Sequence, residues 1–248
     1  MQFDFSDKVV LITGATRGLG RQMAFAFARC GANIAVVSRK KEACDKTAAE
    51  LSALGVEALP CPCNISHWDA LDGLVDRVYR HFGRVDVLIN NAGLSPLYPN
   101  LEAVTEALMD KVLGVNFKGP FRLGVLVGSR MEQAGGGAII NISSRAGDNP
   151  SPDYAPYAAA KAALNNLTRA LAKAYAPKVR VNCIAAGTFR TDVSKSWDIP
   201  ALEKELSVVQ AMGRIGNPDE IVGAALYLAS EQASFTTGAI LNVDGGLY

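Results

Sequence analysis

The chain has 248 residues, 49% of them hydrophobic, and its 25 basic and 24 acidic side chains leave a net charge of +1. This composition is typical of a protein with a sizeable core. The balanced charge argues against a nucleic-acid-binding or membrane-surface protein, which would carry an excess of basic side chains. No apolar run approaches the ~18 residues of a membrane span, and the N-terminal MQFDFSDK has no signal-peptide pattern. Five cysteines at spacings that fit no zinc site, with two histidines, predict reduced thiols, no metal and a cytoplasmic location.

Short β-rich runs alternate with longer helical segments along the whole chain. The expected strands are 9–13, 33–38, 56–61, 85–90, 137–143, 179–185 and 239–243, and the expected helices lie near 18–30, 41–54, 67–82, 104–133, 156–176 and 218–229. Most of the runs are continuously apolar, which is typical of parallel strands covered on both faces. The pattern predicts an α/β fold in one domain over 1–248: a single doubly wound parallel sheet of about seven strands with helices on both faces. We expect the least regular stretch, 186–217, to be a loop segment that covers substrate and cofactor.

The first strand leads directly into TGATRGLG, with glycines at positions 14, 18 and 20, and a helix follows. Glycines permit a tight turn and let backbone amides approach a pyrophosphate, while the helix start offers unpaired N–H groups and a positive dipole end. In this strand–turn–helix setting the motif predicts a dinucleotide site. The residues expected to contact the cofactor here are Gly14, Thr16, Arg17, Gly18, Leu19 and Gly20.

The second strand ends in Ser38-Arg39-Lys40, where NAD-binding folds usually carry an acidic residue for the ribose hydroxyls. A carboxylate there would repel a 2′-phosphate, whereas the Arg39 guanidinium can donate bidentate, charge-assisted hydrogen bonds to one. Arg17 is a candidate second cation. This region predicts NADP(H) rather than NAD(H), the alternative for Arg39 and Lys40 being a solvated helix start.

The segment YAPYAAAK places two tyrosines, Tyr154 and Tyr157, before Lys161. Proline suits the first turn of a helix and disfavours helical geometry at the residue before it, so Pro156 predicts a helix start at about 156. Tyr157 then lies one turn before Lys161 inside the helix, and Tyr154 lies outside it.

Several motifs stand in a characteristic order: TGATRGLG at 13–20, NNAG at 90–93, Asn116 in GVNFKGP, NISS at 141–144, Tyr157 with Lys161, and VDGG at 243–246. Over essentially the whole chain they resemble the classical short-chain dehydrogenase/reductases, including the oxoacyl-carrier-protein reductases. The resemblance implies a Rossmann domain, NAD(P) chemistry and a homotetramer. It also implies that Ser144, Tyr157 and Lys161 form the catalytic triad, with Asn116 as a fourth member. Ser144 is preferred to Ser143 because it precedes Tyr157 by the family's usual thirteen residues.

The resemblance extends to further cofactor contacts. Asn64-Ile65 would meet the adenine, with an amide where many relatives carry Asp, and Asn90 would be more structural. Ala186 replaces a proline that is usual in the family, which leaves the detailed shape of the following cover open. The remaining expected cofactor contacts are Asn91, Ala92, Gly93, Gly187, Phe189 and Thr191, together with Tyr157 and Lys161.

Reduction of a carbonyl requires a proton donor as well as hydride, and a free tyrosine with a pKa near 10 is a weak acid at neutral pH. We expect the Lys161 ammonium to lower the pKa of Tyr157. The resemblance adds that Lys161 holds the nicotinamide ribose, that Ser144 orients the reacting oxygen, and that Asn116 anchors a water leading to solvent. For Asn116 the alternative is a role in kinking or packing its helix.

The substrate side of the predicted site is less defined. The expected substrate contacts are Ser144, Tyr157, Leu94, Arg145 and Trp197. Arg145 would suit an anionic substrate or an ion pair, and Trp197 a lid or local packing. The sequence therefore predicts an NADP(H)-dependent oxidoreductase, a ketoreductase on a small-molecule carbonyl, with alcohol oxidation or a non-catalytic NADP-binding protein as alternatives.

Overall fold

The computed structural model describes residues 3–191 and 198–247. Within them, seven strands form one sheet in which every neighbouring pair is parallel, in the order β3-β2-β1-β4-β5-β6-β7. The strands are β1 (Val9–Thr13), β2 (Asn33–Ser38), β3 (Ala58–Pro62), β4 (Val87–Asn90), β5 (Gly137–Ser144), β6 (Val179–Ala186) and β7 (Ile240–Val243). The predicted sheet is confirmed.

Helices cover both faces of this sheet. They are α1 (Gly18–Arg29), α2 (Lys41–Ser52), α3 (Ala70–Phe82), α4 (Glu106–Leu113), α5 (Gly119–Gln133), α6 (Ala155–Tyr175), α7 (Ile199–Val209) and α8 (Val222–Ala229). Among the described residues, no helix is long and apolar enough to cross a bilayer.

The alternation of side chains along β1 divides the core into two parts. Val10 and Ile12 pack on one face with apolar residues of α1, α2 and α8. Val9 and Leu11 pack on the other face with those of α3, α5 and α6. Because each strand is covered twice, its residues are apolar in succession, which explains the continuous apolar runs of the sequence.

Three expectations about the helices need correction. The helix expected over 104–133 is divided, because a π-helical turn, Gly114–Lys118, separates α4 from α5. The expected irregularity of 186–217 is wrong in part, since α7 lies within it. The Asp198 carboxylate accepts a hydrogen bond from the Ala201 N–H at 3.2 Å and thereby caps α7.

The third correction concerns the start of α6. Ala155 is helical, with φ −53° and ψ −46°, although it precedes Pro156. Its N–H donates to the Tyr98 hydroxyl at 2.7 Å, which stabilises a helical start that the following proline disfavours. Tyr154 nevertheless precedes α6, while Tyr157 and Lys161 lie inside it, as predicted.

The strand order places the site. The chain runs from β1 outward to β3 and then returns to add β4 on the other side of β1. The loops after β1 and β4 therefore diverge from neighbouring strands and leave a crevice at the carboxyl edge of the sheet. The segments after β5 and β6 extend along the same edge.

Candidate active site

The glycine turn after β1 is shaped to bring the backbone close to a ligand. Gly14 and Gly18 have φ values of +68° and +52°, in the left-handed region. A Cβ at Gly20 would collide with the Gly14 carbonyl oxygen and the Asn91 side-chain amide. Helix α1 starts without a side-chain cap and without an acidic residue in its first turn. Its first N–H groups are therefore left for an anion.

Cations lie beside this turn. Arg17, Arg39 and Lys40 are exposed, and within the part of the chain that the structure describes they make no ion pair. The neighbouring Lys41 is different, because its ammonium binds the Asp45 carboxylate at 2.6 Å. The first three side chains are available to an external anion.

Side chains from β1 and β4 hold the two walls of the crevice together. The Thr13 hydroxyl accepts hydrogen bonds from the N–H groups of Asn91 and Ala92, at 2.9 and 3.0 Å. The Asn91 side-chain amide donates to the Thr13 carbonyl oxygen at 2.8 Å. Asn91 is thus a brace between the strands as well as a candidate neighbour of the cofactor, and Thr13 is a positioning residue that the sequence analysis did not single out.

Residues at the expected adenine end make local contacts. The Asn64 side-chain oxygen accepts hydrogen bonds from the Ser66 N–H at 3.3 Å and the Ser66 hydroxyl at 3.0 Å. Ile65 is buried. On the other side, the Thr16 hydroxyl bonds the Ser38 hydroxyl at 3.1 Å, which joins the glycine turn to the end of β2.

The two serines at the end of β5 occupy different environments. Ser143 is buried and its hydroxyl donates to the Lys161 carbonyl oxygen at 3.3 Å. Ser144 is half-buried, accepts the Ala146 N–H at 3.1 Å and shares a hydrogen bond with the Tyr157 side chain. The structure therefore pairs Ser144, not Ser143, with the candidate tyrosine.

Lys161 lies one turn beyond Tyr157, with its ammonium nitrogen 5.6 Å from the centroid of the tyrosine ring. The ammonium donates to the Ile142 carbonyl oxygen at 2.7 Å. Burial lowers the pKa of Lys161 to about 8, because the charged form loses hydration.

The pKa of Tyr157 contradicts the sequence expectation. Burial raises it above the usual value of 10, and the hydrogen bond with Ser144 opposes that rise only in part. Lys161 therefore does not lower the pKa of Tyr157 below its ordinary value. The phenol therefore stays protonated at neutral pH.

Asn116 lies within the π-helical turn and is fully buried. Its side-chain nitrogen donates to the carbonyl oxygens of Leu94 and Val112, at 2.8 and 3.0 Å, and its oxygen accepts the Leu94 N–H at 3.3 Å. A Cβ at Gly93 would lie 3.2 Å from the Asn116 oxygen and 3.7 Å from the Lys161 nitrogen. Asn116 thus fixes the segment after β4 beside Lys161.

The segment after β6 reaches back to the glycine turn. Ala186 continues β6 and pairs with both Ser144 and Val243. A Cβ at Gly18 would lie 3.5 Å from the Thr191 side chain. Phe189 is buried, and Gly187 donates its N–H to the Val243 carbonyl oxygen at 2.9 Å. Trp197 lies outside the described residues.

Residues at the substrate side are also tied to other parts of the chain. The Arg145 guanidinium pairs with Asp148 at 3.0 Å and with Asp244 at 2.8 Å. The Tyr98 hydroxyl donates to the Pro152 carbonyl oxygen at 2.5 Å and accepts the Ala155 N–H. Tyr98 was not singled out in the sequence, because no local pattern indicates a partner more than fifty residues away.

The carboxyl edge of the sheet thus combines an uncapped glycine turn, exposed cations, and a Ser–Tyr–Lys group beside a buried asparagine. A glycine turn open to an anion and a Ser–Tyr–Lys group at the same edge of a doubly wound sheet are typical of the nucleotide-dependent oxidoreductases of this fold.

Comparisons with known proteins agree with this class. A family model described as enoyl-(acyl carrier protein) reductase matches residues 14–248. The human dehydrogenase/reductase SDR family member 4 is 35% identical over 243 residues, which are 97% of this chain and 87% of that protein. An uncharacterized oxidoreductase of Thermotoga maritima is 39% identical over 249 residues, 98% of each chain.

Solved structures agree as well. A 7α-hydroxysteroid dehydrogenase solved with NADH and 7-oxo glycochenodeoxycholic acid superposes with a TM-score of 0.93, at 36% identity over 98% of this chain and 95% of that one. A 3-oxoacyl-[acyl-carrier protein] reductase from Brucella melitensis gives a TM-score of 0.91, at 34% identity over 99% and 92%. The chain belongs to the short-chain dehydrogenase/reductase family, whose members oxidise or reduce small molecules with a nicotinamide cofactor.

Proposed function

We propose that the protein is an NADP(H)-dependent oxidoreductase that interconverts a carbonyl and a secondary alcohol, acting as a ketoreductase. The observation that carries this proposal is the placement of Tyr157 beside Ser144 and one helical turn before the buried Lys161, whose side-chain nitrogen lies 5.6 Å from the tyrosine ring. Tyr157 lies on the same sheet edge as the glycine turn, so one bound dinucleotide can extend from the cations to the phenol.

The cations beside the glycine turn, which form the phosphate end of the site, fit NADP(H). Arg17, Arg39 and Lys40 are exposed and unpaired within the described residues, and the end of β2 carries no carboxylate. The 7α-hydroxysteroid dehydrogenase was solved with NADH and a xylitol dehydrogenase with NAD⁺, so family membership is compatible with either cofactor. The choice of NADP(H) rests on these cations.

When bound, the nicotinamide supplies or accepts the hydride. Ser144 orients the substrate oxygen, and Tyr157 donates its hydroxyl proton to that oxygen during reduction. The raised pKa keeps this proton on the phenol beforehand. Lys161 holds the ribose, and Asn116 keeps Gly93 and Leu94 in place and anchors a water toward solvent. In oxidation the same steps run in reverse.

Further features of the proposal follow the relatives. Leu94 borders the substrate, and the segment 186–217 covers the site in one domain over 1–248. Following the family resemblance, we propose that copies of the chain form a cytoplasmic homotetramer.

The test is a screen of NADPH oxidation against ketones, aldehydes, acyl thioesters and quinones, with NADH in parallel. We expect turnover of at least one carbonyl class and a higher kcat/KM with NADPH than with NADH. NADPH binding without turnover across the panel would instead favour a non-catalytic nucleotide-binding protein. Equal efficiency with both cofactors would contradict the NADP(H) assignment.

A further inference from the structure

A buried ion pair connects the residue after Ser144 to the C-terminal segment. The Arg145 Nε lies 2.8 Å from the Asp244 carboxylate, and the two side chains are 14% and 9% exposed. Arg145 also pairs with Asp148 at 3.0 Å. Two carboxylates therefore hold one guanidinium inside the protein, whereas a substrate ligand would present its charge to the cleft.

Asp244 makes further contacts in addition to its ion pair with Arg145. Its carboxylate accepts the Gly246 N–H at 3.0 Å, and its carbonyl oxygen accepts a hydrogen bond from the Gln210 side chain. A Cβ at Gly187 would lie 2.6 Å from the Asp244 Cα, so the two backbones are in close contact. Asp244 thus touches both the start of the covering segment and the residue after α7.

On the other side of the pair, Arg145 begins the turn that carries Ser144. The Arg145 carbonyl oxygen accepts the N–H groups of Asp148 and Asn149, at 3.1 and 2.8 Å. The Ala146 N–H donates to the Ser144 hydroxyl. The orientation of this hydroxyl therefore depends on a turn whose first side chain is anchored to Asp244.

We propose that Arg145 and Asp244 are a positioning pair, which sets Ser144 against Tyr157 and aligns the covering segment at Gly187 with the same site. The inference rests on the proposed function for its kinetic consequence, but its geometric part stands by itself. It makes Arg145 a supporting residue rather than a ligand for an anionic substrate.

The pair makes an unusual prediction for charge removal. Arg145→Gln leaves the Asp244 carboxylate without its partner, and Asp244→Asn leaves Arg145 only the more exposed Asp148, while the double variant removes both charges and retains an amide at each position. The single variants should therefore be worse than the double variant. Arg130→Gln is a matched control, because Arg130 pairs with Asp76 at 2.5 Å and joins α5 to α3.

The experiment combines hydrogen exchange of the peptide containing residues 144–149 with steady-state kinetics, using NADPH and the best substrate of the screen. Asp244→Asn should accelerate amide exchange in this peptide and lower kcat about tenfold, since small displacements of reacting groups cost rate steeply. The Kd for NADPH should change less than about twofold, because the asparagine keeps the backbone contact with Gly187. The double variant should recover part of both losses, and Arg130→Gln should show neither.

Unchanged exchange in the single variants would overturn the inference, whether or not a substrate is found. Faster exchange with an unchanged kcat would overturn the positioning role. A double variant as impaired as the sum of the single variants would also contradict it. Failure of the proposed function has a different signature, namely a wild-type protein without turnover, or one whose turnover survives the loss of the Tyr157 hydroxyl.

Discussion

The two ends of the candidate site differ in how far their polar groups are buried. The phosphate end comprises the cations beside the glycine turn, and the chemical end comprises Asn116, Tyr157 and Lys161. At the phosphate end, Arg17, Arg39 and Lys40 are exposed, and the described residues offer them no carboxylate. At the chemical end, Asn116 and Lys161 are buried and bonded to backbone carbonyl oxygens. The exposed cations can bind an anion from solution, whereas the buried side chains are already held in place by the protein's own hydrogen bonds.

This difference has an energetic reason. Exposed cations cost little to maintain and gain most when a phosphate displaces their water. A buried ammonium is costly, as the pKa of Lys161 of about 8 shows, and it persists only because surrounding groups hold it in place. The buried, destabilising charge thus lies where reacting atoms must be aligned, and the exposed cations lie where an attraction between charges is sufficient.

The largest expected effect is at the chemical end. Tyr157→Phe removes the proton donor, and kcat should fall about 10³-fold, within the usual range for general acid catalysis. Binding of NADPH, followed by its fluorescence, should stay near the wild-type level. Tyr154→Phe is the matched control, because Tyr154 precedes α6 and its hydroxyl donates to the Asn149 carbonyl oxygen at 3.3 Å. Near-normal turnover of Tyr157→Phe would refute the catalytic assignment.

Lys161→Met sharpens the comparison through stability. The folded-state pKa of Lys161 is about 8 against an ordinary value of 10.5, so below pH 8 the folded protein carries the full cost of a buried charge. Replacing it should raise the free energy of unfolding of the cofactor-free protein at pH 7, by up to roughly 3 kcal/mol, while abolishing turnover.

The pH dependence provides the check on Lys161. Between pH 8 and 10.5 the unfolded wild-type chain binds more protons than the folded one, so wild-type stability rises with pH and the advantage of the methionine shrinks. Urea unfolding of both proteins across this range measures the difference. A gap that does not change with pH would show that the burial of charge is not its cause.

Of the substitutions that compare the two ends, the one at the phosphate end is expected to have the smallest effect. Arg39→Asp should weaken NADPH binding by about 30-fold and NADH binding by less than about threefold, because a charge-assisted bond is replaced by repulsion of the 2′-phosphate. Arg80→Asp, an exposed change on α3, controls for the altered net charge. Equal weakening of both nucleotides would remove the basis for NADP(H).

The predictability of the site follows the same division. Contacts within one strand–turn–helix unit can be inferred from local patterns, as in the glycine turn and in the spacing of Tyr157 and Lys161. Helix α7 also has a local signal, since Ile199, Leu202 and Leu206 recur at helical spacing, but it lies in a stretch whose irregular flanks predict a loop. The π-helical turn at Asn116 has no comparable signal, because a single extra residue in a helix leaves the apolar pattern nearly unchanged.

By itself, the sequence determined the order of strands and helices, the dinucleotide turn and the separation of Tyr154 from Tyr157, all of which depend on neighbours within a few residues. Tertiary structure decided which strand ends meet, and hence the brace between Thr13 and Asn91, the bond from Tyr98 to α6, and the pair of Arg145 with Asp244. It also decided the direction of the Tyr157 pKa, because that direction depends on burial, which no local pattern reports.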